Sequence, residues 1–451
     1  MSSRGLPLWG LGLSLIGCGG QGHVRGVVVV SLDTLRADRL GAWGSTAGLT
    51  PNLDRMAAES VVFDQAYSQA NETLYSHAAL FTGRYPGRLA PLDGDFHLTP
   101  GTPTLAARFQ AAGWDTAAFV AGGHLSKSFG LNPGFDAYGD EIAWASVKDT
   151  GASALHWLDT RPHADKPFFL FVHGYDAHDR YLKPTPFGYA EADLGHAGVA
   201  LDVGRRPGGT SEVLDGHASR RTDVAEMLSL IRPRFARGEG IAALDLDAAA
   251  LDAADTAHLA GLYDGAVAWA DANVGTFFAG LDRRGLLDDV VLVVLSDHGE
   301  ELGEAGVFHH RYSISDAVAH VPLMVHLPGG AHGGRRTEAL VGLVDVGPTV
   351  LDLAGVEGFT GVDGRSLRPL VEGTADTARS VVVTQGALRL LSARTASARL
   401  TVEGISPENS FAAALYAALP VDGVTTQLQG DADQLPALRD ALVAFARGGA
   451  P

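Results

Sequence analysis

Cysteine is almost absent from this chain of 451 residues, which contains one, Cys18. A single cysteine cannot form an intramolecular disulfide bond, so the fold must rely on its hydrophobic core, and no thiol elsewhere can act as a nucleophile. Positive charge is scarce too: 34 lysine and arginine residues stand against 52 aspartate and glutamate residues, for a net charge of -18. Nucleic-acid binding needs clustered cations that neutralise phosphates, so this composition argues against a nucleic-acid partner.

Long apolar runs are also missing, and the N-terminal one is short. Residues 1–18 carry one positive charge at Arg4, a brief apolar run and small residues before Cys18. This pattern is typical of an export signal rather than a permanent membrane-spanning helix, and residues 15–18 resemble the lipobox of bacterial lipoproteins. We therefore expect a signal peptide over 1–18, a tether over 19–26, and a lipidated Cys18 that anchors an exported protein in a membrane, facing the periplasm or the cell exterior. The alternative interpretation is a buried or accidental cysteine.

Strand-length apolar runs recur along the chain, and the hydrophobic content of 46% is enough for a large core. The runs lie at residues 27–32, 116–120, 167–172, 290–295 and 321–327. Helical patterns lie between them: Thr50-Pro51 and Thr102-Pro103 are typical helix starts, and residues 259–281 form a longer amphipathic stretch. Alternating strands and helices predict an α/β layer with helices on both faces of a sheet.

Two regions depart from this alternation. Residues of about 187–255 are rich in glycine, aspartate and arginine and weakly periodic, which indicates an insertion. After Gly373 the pattern changes to short strand-like pieces at 380–383, 388–391 and 399–402, with a final helix at 435–447. This pattern predicts a small C-terminal α+β subdomain over residues 374–451.

Polar side chains follow three of the apolar runs. Asp33 follows the first run, His173 and Asp176 follow the third, and Asp297 and His298 follow the fourth. In open α/β sheets, ligands bind at the carboxyl ends of the strands. Two carboxylates and an imidazole there suit a divalent cation such as Zn²⁺ or Mn²⁺, and less obviously Ca²⁺. Taken singly, each residue is more simply explained as a turn or loop residue.

Residues 71–86, NETLYSHAALFTGRYP, place Thr73 at the start of a predicted helix. Alone, Thr73 is most simply an N-cap residue. Its hydroxyl is a poor nucleophile at neutral pH, but a cation held by Asp33, Asp297 and His298, with Thr73 as a fourth ligand, would favour its ionised form. A helix N-terminus also favours an incoming anionic ester.

Several stretches, in chain order, resemble the sulfatase-like members of the alkaline phosphatase superfamily. They are VVVSLDTLRADRLGAWG (28–44), TPNLDRMAAESVVFDQAY (50–67), residues 73–86, FLFVHGYDAHDRY (169–181), residues 262–275, VLSDHGEELG (294–303), residues 310–328, VGLVDVGPTVLDLAG (341–355) and DGRSLRPL (363–370). The resemblance covers residues 27–373. It implies a three-layer α/β/α alkaline-phosphatase/sulfatase-like fold, with a catalytic domain over 27–373 that contains the insertion.

The resemblance also implies roles for individual residues. Asp33, Asp297 and His298 are expected to bind one divalent metal ion, of unknown identity among Mn, Zn, Ca and Mg, and Thr73 takes the nucleophile position. The remaining catalytic and substrate-pocket candidates are His77, His173, His178, His310, Asp176 and Tyr312. His77 stands where sulfatases carry the arginine of their Cys-x-Pro-x-Arg signature.

This chain departs from the sulfatase pattern at several positions. Thr73 cannot become the formylglycine that sulfatases make from cysteine or serine. Thr34 replaces the second aspartate of the usual pair, which favours one metal ion over two. Tyr75 replaces a proline, Ala305 stands where relatives often have histidine, and Tyr312 stands where sulfatases place a lysine, since no lysine follows Lys183.

The sequence predicts a metal-dependent hydrolase or transferase that acts on phosphate mono- or diesters through Thr73. Threonine suits phosphoryl transfer because water or an acceptor alcohol can attack a phosphothreonine. Two alternatives stay open: a sulfuric ester hydrolase that works without formylglycine, and a degenerate surface protein that binds anions without turnover. The sequence determines neither the ester nor the oligomeric state.

Overall fold

The structure is a computed structural model, and it describes residues 24–89, 96–178, 181, 183, 253–304, 308–311, 313–386, 390–403 and 425–446. The predicted signal peptide with Cys18, nearly all of the predicted insertion, Ala305 and Tyr312 lie outside these residues. Within the described ranges, no helix combines the length and the apolar character that crossing a bilayer requires.

The described strands form one large sheet and two smaller ones. In chain order they are β1 (Gly26–Leu32), β2 (Val61–Tyr67), β3 (Asp115–Phe119), β4 (Ala137–Gly139), β5 (Phe168–Gly174), β6 (Val290–Leu295), β7 (Glu301–Leu302), β8 (Phe308–His309), β9 (Leu323–His326), β10 (Arg336–Gly342), β11 (Val382–Gly386), β12 (Leu390–Arg394), β13 (Ala398–Glu403) and β14 (Thr425–Gly430). The large sheet has eight strands in the order β10-β2-β9-β6-β1-β5-β3-β4. Strand β9 is antiparallel to both of its neighbours, and the other pairs are parallel.

The described helices lie mostly between these strands. They are α1 (Pro51–Ala58), α2 (Thr73–Thr82), α3 (Leu105–Ala111), α4 (Val147–Thr160), α5 (Ala253–Asp282), α6 (Asp316–Ala319), α7 (Val346–Leu353), α8 (Arg368–Val371) and α9 (Leu435–Ala446). The predicted strand runs and the long amphipathic helix are confirmed, with shifts of a few residues at their ends. The predicted run at 321–327 forms a strand only at Leu323–His326, because Pro322 has no N–H for a ladder.

One predicted helix start is wrong and another is confirmed. Thr50 and Pro51 do begin α1, but Thr102 and Pro103 do not begin α3. The N-cap of α3 is Thr104, whose hydroxyl accepts a hydrogen bond from the N–H of Ala107 at 3.2 Å. The Thr102 hydroxyl instead donates to the Thr99 carbonyl at 2.7 Å, so it belongs to the preceding turn. Two threonines separated only by Pro103, Thr102 and Thr104, left the sequence pattern ambiguous.

Strand β1 is buried on both faces, as a valine-rich run predicts. Because successive side chains point to opposite faces of a sheet, Val27 and Val29 join one apolar cluster, and Val28 and Val30 join another. Helices α2, α3 and α7 pack in the first cluster, whereas α1, α4 and α5 pack in the second. The protein therefore has the predicted three-layer α/β/α architecture.

The C-terminal part forms a second, antiparallel sheet in the order β11-β12-β13-β14. Leu438 and Leu442 of α9 pack against this sheet and are fully buried, which confirms an α+β arrangement there. Just before β11, Arg379 forms a buried bidentate ion pair with Asp345, the residue before α7. Arg379 also donates to the Asp363 carbonyl at 2.6 Å. This ion pair ties the start of the second sheet to the main layer.

We predict that Arg379→Ala lowers the free energy of unfolding by about 3–5 kcal/mol, because it leaves the Asp345 carboxylate buried without its cation. Urea unfolding monitored by circular dichroism measures the loss. The control is Glu372→Ala, which removes the more exposed ion pair with Arg368 and should change the free energy by less than about 1 kcal/mol. Equal effects of the two substitutions would contradict the prediction.

Candidate active site

The carboxyl ends of three adjacent strands bring the predicted site residues together. In the sheet register, Ser31 of β1 pairs with His173 of β5 and with Leu295 of β6. Asp33 therefore emerges beside His173 on one side and beside the residues that follow β6 on the other. This position is the edge where open α/β sheets bind ligands.

Three of the predicted metal ligands form a compact group. The ligand atoms of Asp33, Asp297 and His298 lie within 4.8 Å of one another, and all three residues are buried. Asp33 Oδ1 and Asp297 Oδ2 are buried and have no hydrogen-bond partner. His298 Nδ1 lies 3.0 Å from the Gly299 carbonyl, so this nitrogen carries the proton and Nε2 keeps its lone pair. These donors fit a divalent cation.

The two carboxylates of this group have opposite electrostatic surroundings. Burial, followed by the charge of Asp33, raises the pKa of Asp297 to about 7. Burial alone would also raise the pKa of Asp33, but the hydrogen bond with His173 and the charges of His178 and His298 hold that pKa well below its usual range. One carboxylate thus carries its charge while the other needs a proton or a cation beside it.

A strained turn at Thr34 links the two ligand-bearing loops. Thr34 has a φ of 56°, which is rare for a β-branched residue and marks a backbone held by its surroundings. Its N–H donates to Asp297 Oδ1 at 3.3 Å, and its carbonyl accepts from the Tyr263 hydroxyl at 2.6 Å. The next N–H, of Leu35, donates to Ser296 Oγ at 2.9 Å. The Thr34 hydroxyl donates to the Asp33 carbonyl, so Thr34 adds no further ligand to the group.

Thr73 lies at the N-terminus of α2, with its side chain at the metal-ligand group. The N-cap residue is Glu72, so the simple interpretation of Thr73 as an N-cap is wrong. Its hydroxyl donates to Asp33 Oδ2 at 3.1 Å and lies 3.4 Å from His298 Nε2. Helix α2 is buried along all ten of its residues, so the partial positive charge of its N-terminus lies in a water-poor interior.

His77 supports Thr73 from one helical turn further along α2. Its Nδ1 donates to the Thr73 carbonyl at 2.7 Å, and its Nε2 lies 2.9 Å from Ser31 Oγ. Burial, together with the neighbouring His173, lowers the pKa of His77 to about 3. With both nitrogens engaged inside the protein, a neutral His77 positions Thr73, and the expected contact of His77 with substrate oxygens has no free atom to make it.

Three more predicted histidines line the site. His173 Nε2 lies 3.2 Å from Asp33 Oδ2, and His178 Nε2 lies 4.0 Å from Asp33 Oδ1. The His310 ring lies 4.3 Å from the His298 ring and 5.5 Å from the His178 ring, centroid to centroid. Burial, followed by the charges of His298 and His178, lowers the pKa of His310 well below its usual range. His310, like His77, is therefore a neutral imidazole beside the group.

Asp176 does not join the group, although it follows β5 closely. One of its carboxylate oxygens accepts from the N–H of Val147 at 2.7 Å, and the other accepts from the Asn273 side chain at 2.7 Å. Both oxygens are used to fasten α4 and α5 to the loop after β5. Asp176 therefore has a structural role beside the pocket.

Four residues of the site were not predicted: Tyr175, Arg311, His124 and Glu300. The Tyr175 hydroxyl lies within hydrogen-bonding reach of Thr73. Arg311 Nε pairs with Glu72, the residue before Thr73, at 3.0 Å. Burial, together with the charge of Arg311, lowers the pKa of His124 to about 4, and Glu300 holds His310 Nδ1 at 3.0 Å. One indication of three of these residues was present in the sequence. Each of Tyr175, Glu300 and Arg311 lies next to a predicted residue or motif.

Comparison with known proteins agrees with this geometry. A family model described as sulfatase matches residues 25–356. The chain belongs to the sulfatase family. This sulfatase-family chain is 30% identical over 409 residues to the multifunctional alkaline phosphatase superfamily protein PehA of Trinickia caryophylli. The alignment covers 77% of each chain. It is 24% identical over 404 residues to the N-acetylglucosamine-6-O-sulfatase of Bacteroides thetaiotaomicron, which covers 78% of this chain and 71% of the relative.

The fold of this sulfatase-family chain is shared with solved structures. The phosphonate monoester hydrolase of Agrobacterium radiobacter superposes with a TM-score of 0.67 over 94% of this chain and 95% of the other, at 18% identity. The predicted family, fold and enzyme class, a hydrolase of the alkaline phosphatase superfamily, are therefore confirmed. Sulfatase-family enzymes bind a divalent metal ion, and the group of Asp33, Asp297 and His298 provides suitable donors.

We predict that Mn²⁺ or Zn²⁺ stabilises the wild-type protein and that His298→Ala removes most of this effect, because it deletes a neutral nitrogen donor. At a concentration one hundred times the dissociation constant, the cation should add about 2.7 kcal/mol. Thermal unfolding with and without the cation measures the shift. His163→Ala, at a side chain that is 51% exposed, is the control, and a shift in His298→Ala equal to that of wild type would contradict the site.

We predict a pH-dependent contribution of Asp176 to stability. Burial raises its pKa to about 6 in the folded protein, above about 3.9 in the unfolded chain. The folded state then holds the extra proton, so the unfolding free energy falls as pH rises from about 4 to 6. Relative to Asp176→Asn, which cannot titrate, the wild type should lose up to about 1.4 kcal/mol per pH unit across that window.

Urea unfolding of both proteins between pH 4 and 8 measures this difference. Asp376→Asn makes the same chemical change at a side chain that is 96% exposed, and it should follow the wild-type curve. A constant offset between wild type and Asp176→Asn at every pH would rule out the titration and leave only the lost hydrogen bond.

Proposed function

We propose that the protein hydrolyses phosphate mono- or diesters with the aid of a divalent metal ion, and that Thr73 is the nucleophile. The observation that carries this proposal is the position of the Thr73 hydroxyl, 3.1 Å from Asp33 Oδ2 and 3.4 Å from His298 Nε2. The proposal includes export and membrane anchoring through Cys18, as residues 15–18 indicate. Its substrate is then a compound of the cell envelope or the extracellular space.

The choice of phosphorus over sulfur rests on the chemistry of threonine. Thr73 cannot supply the second hydroxyl by which a formylglycine hydrate expels sulfate. A phosphothreonine can be broken by water attacking phosphorus, which is the usual route in phosphoryl transfer. PehA is named as a multifunctional member of the superfamily, and the neighbour from Agrobacterium is named as a phosphonate monoester hydrolase. These names are consistent with turnover of phosphorus esters on this fold.

In the proposed reaction, Thr73 Oγ1 attacks phosphorus as the bond to the ester's alcohol breaks. Asp33 Oδ2 accepts the Thr73 hydroxyl hydrogen and so orients the hydroxyl, but its low pKa means that it does not keep the proton, which passes to the departing alkoxide so that the alcohol leaves neutral. Water then attacks phosphorus of the phosphothreonine; its oxygen joins the released phosphate, and one of its protons returns to Thr73 Oγ1. A divalent cation bound by Asp33, Asp297 and His298 would supply positive charge that favours the ionised hydroxyl and the ester oxygens.

The remaining side chains suit an anionic ester. His178 is proposed to donate a hydrogen bond to its oxygens, whereas His173 Nε2 and His310 Nδ1 donate to the carboxylates of Asp33 and Glu300 and so line the pocket without a free N–H. Arg311 supplies a fixed positive charge that acts on both His124 and His310. Its ion pair with Glu72 and the hydrogen bonds from Asn71 to the carbonyls of residues 310, 311 and 313 hold its loop over Thr73. Preorganised groups of this kind stabilise charge without rearranging.

We predict that Thr73→Ala abolishes phosphate ester turnover, by at least about 10³-fold in kcat, because it removes the attacking oxygen. The measurement compares para-nitrophenyl phosphate, bis(para-nitrophenyl) phosphate and para-nitrophenyl sulfate, with protein loaded separately with Mn²⁺, Zn²⁺, Ca²⁺ or Mg²⁺. Mass spectrometry of acid-quenched reactions should find phosphate on the peptide that contains Thr73. Thr73→Ser should retain turnover, since it keeps the hydroxyl.

Thr82→Ala is the matched control, because Thr82 is a buried threonine of the same helix whose hydroxyl donates to the Ala78 carbonyl. It should leave kcat unchanged. Turnover of the sulfate ester alone would overturn the phosphate proposal in favour of a sulfatase that works without formylglycine. Metal binding or anion binding without turnover of any ester would favour the degenerate binding protein.

A further inference from the structure

A tryptophan is exposed beside the site, in the loop between β4 and α4. Among the described residues, the large apolar side chains that are exposed are Ile142 at 54% and Trp144 at 38%. Trp144 also has a φ of 61°, a left-handed conformation that bulky residues rarely adopt. Backbone outliers of this type cluster at ligand-binding sites, where the surrounding structure holds them in place.

The backbone around Trp144 is fastened on both sides. Its N–H donates to the Ala121 carbonyl at 2.7 Å, and the N–H of Tyr175 donates to the Ala145 carbonyl at 2.9 Å. Gly122 packs closely below this loop, since a Cβ there would lie 3.1 Å from the Ala143 Cα. The indole is therefore presented by a fixed loop.

Ring contacts connect Trp144 to the metal-ligand group. The Trp144 ring lies 4.7 Å from the Tyr175 ring and 5.7 Å from the His178 ring, centroid to centroid. His178 Nε2 lies 4.0 Å from Asp33 Oδ1, and the Tyr175 ring lies 4.8 Å from the His173 ring. An ester held at Asp33 would thus extend its organic part past His178 towards the exposed indole.

We propose that Trp144 forms a ring-binding subsite for the organic part of the ester, with the buried Tyr175 ring packed behind its indole. Resting on the proposed function, this inference names the substrate class: esters that carry a ring, either aryl or hexopyranose, next to the phosphoryl group. A tryptophan face stacks on either kind of ring.

The test measures binding rather than turnover, so it does not depend on which ester the protein cleaves. Isothermal calorimetry compares phenylphosphonate, a hexopyranosyl phosphonate and methylphosphonate, with protein loaded with the cation that stabilises it most. Stacking should make at least one of the two ring compounds bind about tenfold more tightly than methylphosphonate. The ring compound that binds more tightly than methylphosphonate shows whether the subsite prefers an aryl or a sugar ring.

The variants separate stacking from structural effects. Trp144→Ala should abolish the advantage of the ring compound and leave methylphosphonate binding within about twofold of wild type, whereas Trp144→Phe should keep most of the advantage for an aryl ring. Ile142→Ala, at the other exposed apolar residue of the loop, is the matched control and should leave all three affinities unchanged. Thermal unfolding verifies that each variant is folded.

Two outcomes overturn the subsite: equal wild-type affinities for the ring compounds and methylphosphonate, or an equal loss of all three affinities in Trp144→Ala. Failure of the proposed function is a separate result, namely that no phosphate ester is turned over. A ring preference that disappears in Trp144→Ala would support the subsite even then, as a binding site for ring-bearing anions.

Discussion

The site depends on one electrostatic arrangement, two buried carboxylates that share a small space at the ends of β1 and β6. Asp33 and Asp297 repel each other in a medium where neither is well hydrated, and the pKa of Asp297 rises to about 7, first through burial and then through Asp33. Such a pair persists only where the backbone forces it. Hydrogen bonds from the N–H groups of Thr34 and Leu35 tie the two loops together, and the Tyr263 hydroxyl fastens the Thr34 turn to α5. A bound cation would offset the repulsion between the two carboxylates, so the arrangement suits a metal site.

A second consequence of burial is that two histidines beside the pair, His77 and His310, are neutral. The pKa of His77 falls to about 3 and that of His310 falls well below its usual range, in both cases mainly through burial. Neutral imidazoles donate and accept hydrogen bonds without opposing the cation. These two residues therefore add no positive charge for an anionic ester, whereas Arg311, which Glu72 fixes beside Thr73, does, as would a bound cation.

The parts predictable from sequence are those that depend on local pattern. Valine-rich runs identified the strands, and the residues that follow them, Asp33, Asp297 and His298, could be predicted to meet because parallel strands end at one edge. The features that could not be predicted from sequence depend on loop geometry. Sequence could not show that Tyr175, rather than its neighbour Asp176, faces Thr73. Nor could it show that the His77 nitrogens would be used on Thr73 and Ser31.

The strand order also bears on how the protein folds. Strand β2 leads to α2 and Thr73, yet two strands, β9 and β6, separate it from β1 and Asp33. Contacts within the site join residues 40 positions apart, as for Thr73 and Asp33, and 263 positions apart, as for Thr34 and Asp297. Contacts between such distant residues form slowly, since long loops must close first. We therefore expect the cation site to form late in folding, so that a bound cation slows unfolding and leaves the folding rate largely unchanged.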